Sequence, residues 1–581
     1  MEEEKKEVVE EPVQEPVETP VEQAVETPVE APASEPVVEA EPVNEEPVLA
    51  GEPKKKKPVL LVLIFCLVVA AAIATIILLQ PSKKNEEKKD ENKIITKNEI
   101  KSEFRMTGNS LEKFDLYFLK LENQEKNKVY SPLSIKYALE MLAEGATGEA
   151  KEQIDAVIGD YKAKKYDNND NMSFANAMFV RDTFKDEVKE DYQNMLKDKY
   201  NAEIIVDKFE NPDNINKWIS DKTFKLIDDL VNDVSEKQFF LVNALAIDMK
   251  WNYLIHCATV QNRNVPCYSE GGYYVEYLHE KLQGEEDEYR KVSYIYAGEE
   301  SFESINFNGK ENIKGAKVLA SFNKYDVVKT LGEDRVRKEI GDAYDEYLKT
   351  DEAKIIGEKP SEKESIINSF IKDLNENYGK AVVSTDFMLY DDDNVKGFAK
   401  DLKTYNGTTL QYVAIMPKTG TLKEYVDKVT TEDINKVINN LKEMKIENFE
   451  EGYATIIEGD IPMFKYEYEL NLLEDLKKLG ITDVFTVGKA SLNTMLKNPE
   501  GIVIAEAKHK ANIEFSNEGI KAAAATEEGG LGNTGGGFNY LFEVPTKRIN
   551  LTFDNPYLYL IRDKDSGEVW FIGTVYEPIV K

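Results

Sequence analysis

Histidine and cysteine are nearly absent from this chain, with three of each among 581 residues. His256, His279 and His509 are scattered, and neither an HExxH nor a GxSxG run occurs, so zinc-protease and serine-hydrolase chemistry lack their parts. Cys66, Cys257 and Cys267 form no CxxC pair and no zinc-ligand spacing, which leaves neither a structural metal nor a cofactor to expect. Positive charge is also short. The 74 Lys and Arg residues face 108 Asp and Glu, a formal net charge of −34, and about −23 remains when the first 57 residues are set aside. Nucleic acid is therefore excluded as a partner, because neutralising phosphates takes clustered cations. The acidity confers solubility and names no substrate. No carboxylate pair stands out by its spacing. The one GxGxxG match, Gly530 to Gly535, lacks the strand before it and the helix after it that a dinucleotide site needs.

Aromatic residues are missing from Met1 to Ala50, where sixteen Glu, two Lys and repeated Glu-Pro-Val leave nothing to build a core. Residues 1–57 read as a disordered acidic tail. Charge is then missing from Val59 to Leu79. A helix of that length, at about 1.5 Å per residue, spans a hydrocarbon layer of about 30 Å, so residues 58–80 are predicted to be a transmembrane helix with Cys66 as a small apolar residue inside it. Some fifty residues precede the run and no small-residue cleavage site follows it, which argues for a signal anchor over a cleaved leader. Lys54 to Lys57 favour a cytoplasmic tail and an extracellular C-terminal domain, and Lys83, Lys84, Lys88 and Lys89 on the far side weaken that bias. Residues 81–104 read as a charged linker.

From residue 105 to 581 helical and strand patterns alternate without a repeat. Ser110 to Leu121, SLEKFDLYFLKL, predicts a helix behind a Ser N-cap with Leu111, Phe114, Leu116, Phe118 and Leu121 on one stripe. NLTFDNPYLYLIRDKDSGEVWFIGTVYEP predicts two strands joined by the DKDSG turn. The fold class expected is α+β with much antiparallel sheet. Asn512-Ile-Glu-Phe alternates like a strand and leads through Gly519 and Ile520 to Ala522, Ala523, Ala524, Ala525 and Thr526. An alanine run is ordinarily a helix former. Its small side chains equally suit a segment that slides between two strands and satisfies a ladder of backbone groups there.

Six blocks in order resemble the serpin family. They are NKVYSPLSIKYALEMLAEGATGEA at Asn127 to Ala150, FANAMFV at Phe174 to Val180, INKWISDKTFKLIDDLV at Ile215 to Val231, FLVNALAIDMKWN at Phe240 to Asn252, LKKLGITDVF at Leu476 to Phe485, and AEAKHKANIEFSNEGIKAAAAT at Ala505 to Thr526; the terminal hairpin adds a seventh. The resemblance implies the serpin fold, with a large antiparallel-rich central sheet, flanking helices and an exposed reactive-centre loop. It implies a peptidase inhibitor, not an enzyme, directed at serine or cysteine peptidases by a suicide-substrate mechanism in which the cleaved loop enters the sheet. It makes Gly519 to Thr526 the hinge, and it gives Ser131, Asn216, Asn243 and His509 polar roles near the shutter and breach, with Trp251 as the breach tryptophan. About fourteen residues beyond the hinge glycine it places the reactive bond at Asn533-Thr534.

Some residues depart from the family pattern. Asn517 stands where Glu is usual, Ile520 where Thr or Ser is usual, and Lys521 where an acid is usual. By strand parity Glu528 shares the inward face with Ile520, Ala522, Ala524 and Thr526. These positions keep open a non-inhibitory serpin acting as a surface binding or adhesion module. An acidic insertion is expected within about residues 268–380, and Cys257 and Cys267 are close enough in sequence to bridge in an oxidising compartment. The aromatic run Phe538 to Phe542, like Leu531, keeps chymotrypsin-like targets open beside a peptidase that cuts after Asn533.

Overall fold

The computed structural model describes residues 103–252, 255, 279–281, 289–291, 303–383, 386–516, 519–520 and 538–579. The acidic tail, the membrane span predicted at 58–80, most of the linker, Cys257, Cys267, Ala522 to Thr526 and the Asn533-Thr534 bond lie outside the described residues. Among the described residues no helix is long and apolar enough to cross a membrane.

A seven-stranded sheet holds the deepest part of the core. Its order is β1 (Lys128–Tyr130), β21 (Val569–Val575), β20 (Tyr557–Asp563), β13 (Leu410–Pro417), β12 (Val395–Asp401), β11 (Met388–Asp391) and β14 (Lys442–Glu443). Tyr557 to Ile561 on β20 are fully buried, because both faces of that strand are covered. Unbroken apolar runs such as YLYLI need this environment. The DKDSG segment joins β20 to β21 as an antiparallel hairpin, and Asp563 turns the chain by accepting from the amides of Asp565 and Ser566.

The central sheet has two parts. In one, β2 (Met172–Arg181) pairs parallel with β3 (Glu203–Asp207) and antiparallel with β4 (Phe239–Ile247). In the other, β16 (Phe464–Asn471), β17 (Lys508–Phe515), β18 (Gly519–Ile520) and β5 (Met249–Lys250) pair in that order. Only Asp248 separates β4 from β5, so one strand belongs to both parts. Strand β17 alternates strictly, with His509, Ala511, Ile513 and Phe515 buried and Lys508, Lys510, Asn512 and Glu514 on the other face. This face-by-face division follows from the period of two. The buried face meets the seven-stranded sheet, where the ring of Phe515 lies 4.9 Å from that of Tyr412.

The helix Pro132–Gly145 packs on both β4 and β21. It starts on Ser131, whose hydroxyl accepts the amide of Ser134, and on a proline whose missing N–H costs nothing at the first helical position. The first helix begins later than its sequence predicts. It spans Lys113–Leu121, and Glu112 rather than Ser110 is its cap, because the Asp115 carboxylate accepts the Glu112 amide at 2.9 Å. Asp115 is fully buried and paired with the equally buried Lys136 at 2.5 Å, which fixes where that turn can start.

A third sheet, β10 (Lys380–Val383), β9 (Lys310–Asn323), β15 (Ala454–Pro462) and β19 (Thr546–Asn550), carries β8 (Glu303–Phe307) on the far part of β9. A separate hairpin is formed by β6 (His279–Lys281) and β7 (Tyr289–Lys291). Asn323 at the end of β9 pairs with Lys380 at the start of β10. Between these neighbours the chain makes an excursion of four helices, Val327–Leu331, Glu333–Tyr347, Asp351–Ile356 and Lys363–Asn377. An insertion whose two ends are adjacent leaves the parent sheet undisturbed. The helices build a small core of their own from Val327, Val336, Ile340, Ile367 and Ile371, joined by Phe542 and Val544.

Candidate functional site

The site is built around a strand of two residues. Gly519 and Ile520 lie between β17 and β5, with Ile520 opposite Phe515 on one side and Met249 on the other. Ser516 shapes the entry: its amide and hydroxyl both donate to the Gly519 carbonyl, at 3.0 and 3.1 Å. A side chain at 519 would collide, since an added β-carbon would stand 2.2 Å from the Met249 carbonyl oxygen. Glycine is required here by close approach of the neighbouring strand. Ile520 is 2 % exposed, so its apolar side chain is accommodated where the family pattern would have a hydroxyl.

Beyond Ile520 no described strand lies between β4 and β17. Among the described residues no strand pairs with the second edge of β4, and β17 pairs on that side only through Phe515. A slot continues directly from Ile520, walled by Leu245, Ala246 and Ile247 of β4 and by Asn512, Ile513 and Glu514 of β17. Ile561 and Phe571 of the seven-stranded sheet, together with Leu226 and Ile227, complete its lining. Further down, a cavity of about 310 Å³ separates β4 from β17, with Asn243 and His509 among its lining residues. Unpaired backbone edges need partners, and an added strand would supply them.

His509 accepts the backbone N–H of Ser131 through Nε2 at 2.9 Å. Burial of the ring pushes its pKa down to about 4, so it is neutral at physiological pH and ties β17 to the helix start at Ser131. Asn243 donates to Asn176 Oδ1 at 2.7 Å, and Asn176 passes the link to the Tyr200 carbonyl at 2.8 Å. The Asn243 side-chain oxygen is buried without a hydrogen-bond partner among the described residues. Asn243 and His509 thus meet at the lower cavity, and Ser131 is joined to them through its amide's bond to His509.

Asn216 lies elsewhere, on the helix Asp213–Lys222. Its carboxamide folds back on the connector to β4, donating to the Val231 carbonyl at 2.8 Å and accepting from the Leu230 and Val231 amides at 3.1 and 2.9 Å. The same connector is tied across the slot to β17. Asn512 donates to the Leu226 carbonyl at 3.2 Å, and Lys510 pairs with Asp229 at 2.6 Å. The sequence reading gave no site role to Lys510, Asn512, Asn176 or Ser516; the alternation of β17 places Lys510 and Asn512 on the outward face, which was their available signal. Trp251 is buried at the top of the slot, its indole N–H donating to the Ser516 carbonyl at 2.9 Å and its ring 5.4 Å from Phe515. Lys400 Nζ stands 5.8 Å from the centre of that ring.

Among the described residues the central sheet is parted between β4 and β17, and the two-residue strand Gly519–Ile520 fills the gap at one end. A family model described as Serpin (serine protease inhibitor) matches residues 113–264 and 376–578, and the chain belongs to the serpin family. The human leukocyte elastase inhibitor is 30 % identical over 194 residues, which are 31 % of this chain and 46 % of that protein, so the match spans about half of that relative. A serpin-like protein of Methanosarcina acetivorans is 22 % identical over 493 residues, covering 80 % of this chain and 86 % of the relative. The crystal structure of tengpin, a thermophilic serpin in its native state, shares the fold with a TM-score of 0.50 at 19 % identity, over 82 % of this chain and 98 % of that one. The helical excursion lies largely in the stretch 265–375 between the two family-matched segments.

Proposed function

We propose that this serpin inhibits serine or cysteine peptidases as a suicide substrate. The observation that carries the reading is the hinge entry: Gly519 and Ile520 already occupy the sheet, and a slot lined by both neighbouring strands runs on from Ile520. A peptidase that attacks the loop at Asn533-Thr534 forms an ester or thioester to the Asn533 carbonyl, and the amine of Thr534 leaves with the C-terminal fragment. Ala522, Ala523, Ala524, Ala525 and Thr526 then follow Ile520 into the slot, where small side chains meet little resistance. At about 3.3 Å per residue, fourteen residues carry the tethered peptidase roughly 46 Å before water can cleave the acyl link.

The uncharged run at 59–79 and the Lys54 to Lys57 cluster support a single-pass anchor, with the tail in the cytoplasm and the inhibitory domain outside. Lys521 and Glu528 favour a second reading, a non-inhibitory binding module, because Glu528 would follow Ile520 onto the inward face. One experiment separates the two. The domain is mixed with a panel of serine and cysteine peptidases, and denaturant-resistant complexes are sought while the nicked protein is melted. A covalent complex and a sharply raised melting temperature support inhibition; clean cleavage with unchanged melting sinks it.

A further inference from the structure

We infer that the helical excursion between Asn323 and Lys380 is a clamp on the C-terminal side of the reactive loop, which removes the aromatic run from reach of a peptidase and confines attack to bonds before Phe538. The inference rests on the inhibitory reading for its consequence, and on the following contacts for its geometry. The ring of Phe538 is half-buried and lies 5.0 Å from Tyr344, 5.5 Å from Tyr347 and 5.4 Å from Phe370, so two helices of the excursion pack against it. Tyr344 is itself fully buried, and its hydroxyl donates to Glu358 at 2.8 Å with the Lys359 carbonyl 3.1 Å away. This fixes the Tyr344 ring in the wall that Phe538 meets.

The grip continues along the chain. Tyr540 donates to Glu339 at 3.3 Å and packs edge-on against Phe542 at 4.9 Å. Phe542 and Val544 are each 3 % exposed, sunk into the excursion's core. At Pro545 the carbonyl accepts the Ala454 amide at 2.8 Å, and from Thr546 the chain runs as β19 alongside β15. From Phe538 onward, side chains and then a ladder hold the segment. A peptidase needs its substrate in an extended strand with the residue before the cut seated in a pocket. Phe538 and Tyr540 are half-buried and Phe542 is buried, and none can meet either condition without leaving the clamp, so a peptidase that selects aromatic residues must first break these contacts.

The test is limited proteolysis by chymotrypsin on the complete domain, with cleavage sites read by mass spectrometry. This readout is independent of whether any peptidase is trapped, so it can fail while inhibition stands, and inhibition can fail while it stands. Wild-type protein should resist cutting after Phe538, Tyr540 and Phe542, and the Tyr344→Ala/Phe370→Ala variant should be cut there at least tenfold faster. Should that variant fail to fold, Phe538→Ala leaves the helices intact and should raise cutting after Tyr540 and hydrogen exchange of the 540–544 amides by a similar factor. Equal rates in wild type and both variants, or rapid wild-type cutting at these residues, would overturn the clamp.

Discussion

Gly519 and Met249 are so close that a β-carbon on the first would lie 2.2 Å from the carbonyl oxygen of the second. Every larger residue at 519 must push β5 away from β18. The expectation is that Gly519→Val keeps a folded domain but loses the hinge entry, so that the cleaved loop is released instead of inserted. The rise in melting temperature after nicking should shrink, and denaturant-resistant complexes should give way to cleaved protein. A Gly519→Val domain that traps peptidase as well as wild type would remove the hinge from the mechanism.

His509 supplies a pH dependence. Its folded pKa of about 4 lies below the ordinary 6.5 because burial disfavours the charged ring. The unfolded chain therefore binds a proton between pH 6.5 and 4 that the folded domain refuses, and stability present above pH 6.5 falls as pH drops through that window. The full effect is about 3 kcal/mol. Denaturant titrations from pH 7 to 5, above most carboxylate titration, should show this slope in wild type and a flatter one in His509→Gln, whose amide oxygen can still accept from Ser131. Parallel slopes would mean the ring is not the titrating group.

The outline was legible because its signals are local. The hairpin from Tyr557 to Val575 was readable from a turn rich in Asp, Ser and Gly between two β-rich runs. Gly519 stood out because glycine followed a strand and preceded small residues. The rest depends on partners far apart in the chain. Phe538 looked like bait in an exposed loop, yet its packing against Tyr344, Tyr347 and Phe370 is set by an excursion nearly two hundred residues earlier. Ser110 looked like a helix cap, yet the buried pair of Asp115 with Lys136 moved the start to Lys113. Tertiary pairing overrode local propensity in both places.

That buried pair carries its own prediction. Both side chains are fully enclosed and 2.5 Å apart, and burial raises the Asp115 carboxyl while Lys136 opposes the rise. Removing one partner strands a charge in the core, so Lys136→Met should cost about 3 to 5 kcal/mol. Replacing both, with Asp115→Asn keeping an acceptor for the Glu112 amide, should cost less than Lys136→Met alone. Chemical denaturation of the single and double variants measures the difference, and an additive loss would count against the pairing.

Membrane orientation is tested on cells. With residues 58–80 as the anchor and Lys54 to Lys57 on the inner side, protease added outside should release a large fragment that carries the serpin domain. Retention of the whole domain in shaved, intact cells would reverse or remove the anchor. The result is independent of whether the released domain inhibits.

Insertion must also displace what covers the slot. The connector between the Asp213–Lys222 helix and β4 is fastened to β17 by Asn512, which donates to the Leu226 carbonyl at 3.2 Å, and by Lys510, which pairs with Asp229 at 2.6 Å and lies 3.4 Å from Glu467. Leu226 and Ile227 line the slot itself, so a strand cannot extend past Ile520 until this segment yields. Breaking the two ties lowers the barrier to opening without altering the loop. Asp229 is mostly exposed, so the ion pair alone contributes little, and the Asn512 bond adds about 1 kcal/mol. The Lys510→Met/Asn512→Ala variant should therefore take up a synthetic peptide matching residues 519–532 roughly tenfold faster than wild type, a factor that about 1.4 kcal/mol supplies. Asn216→Ala frees the same connector at its other end, where three hydrogen bonds hold Leu230 and Val231, and should act in the same direction. Uptake followed by the shift of the melting transition would measure both, with the unfolded baseline checked so that general destabilisation is not mistaken for opening. Unchanged uptake in the two variants, at unchanged global stability, would show that the connector does not limit insertion.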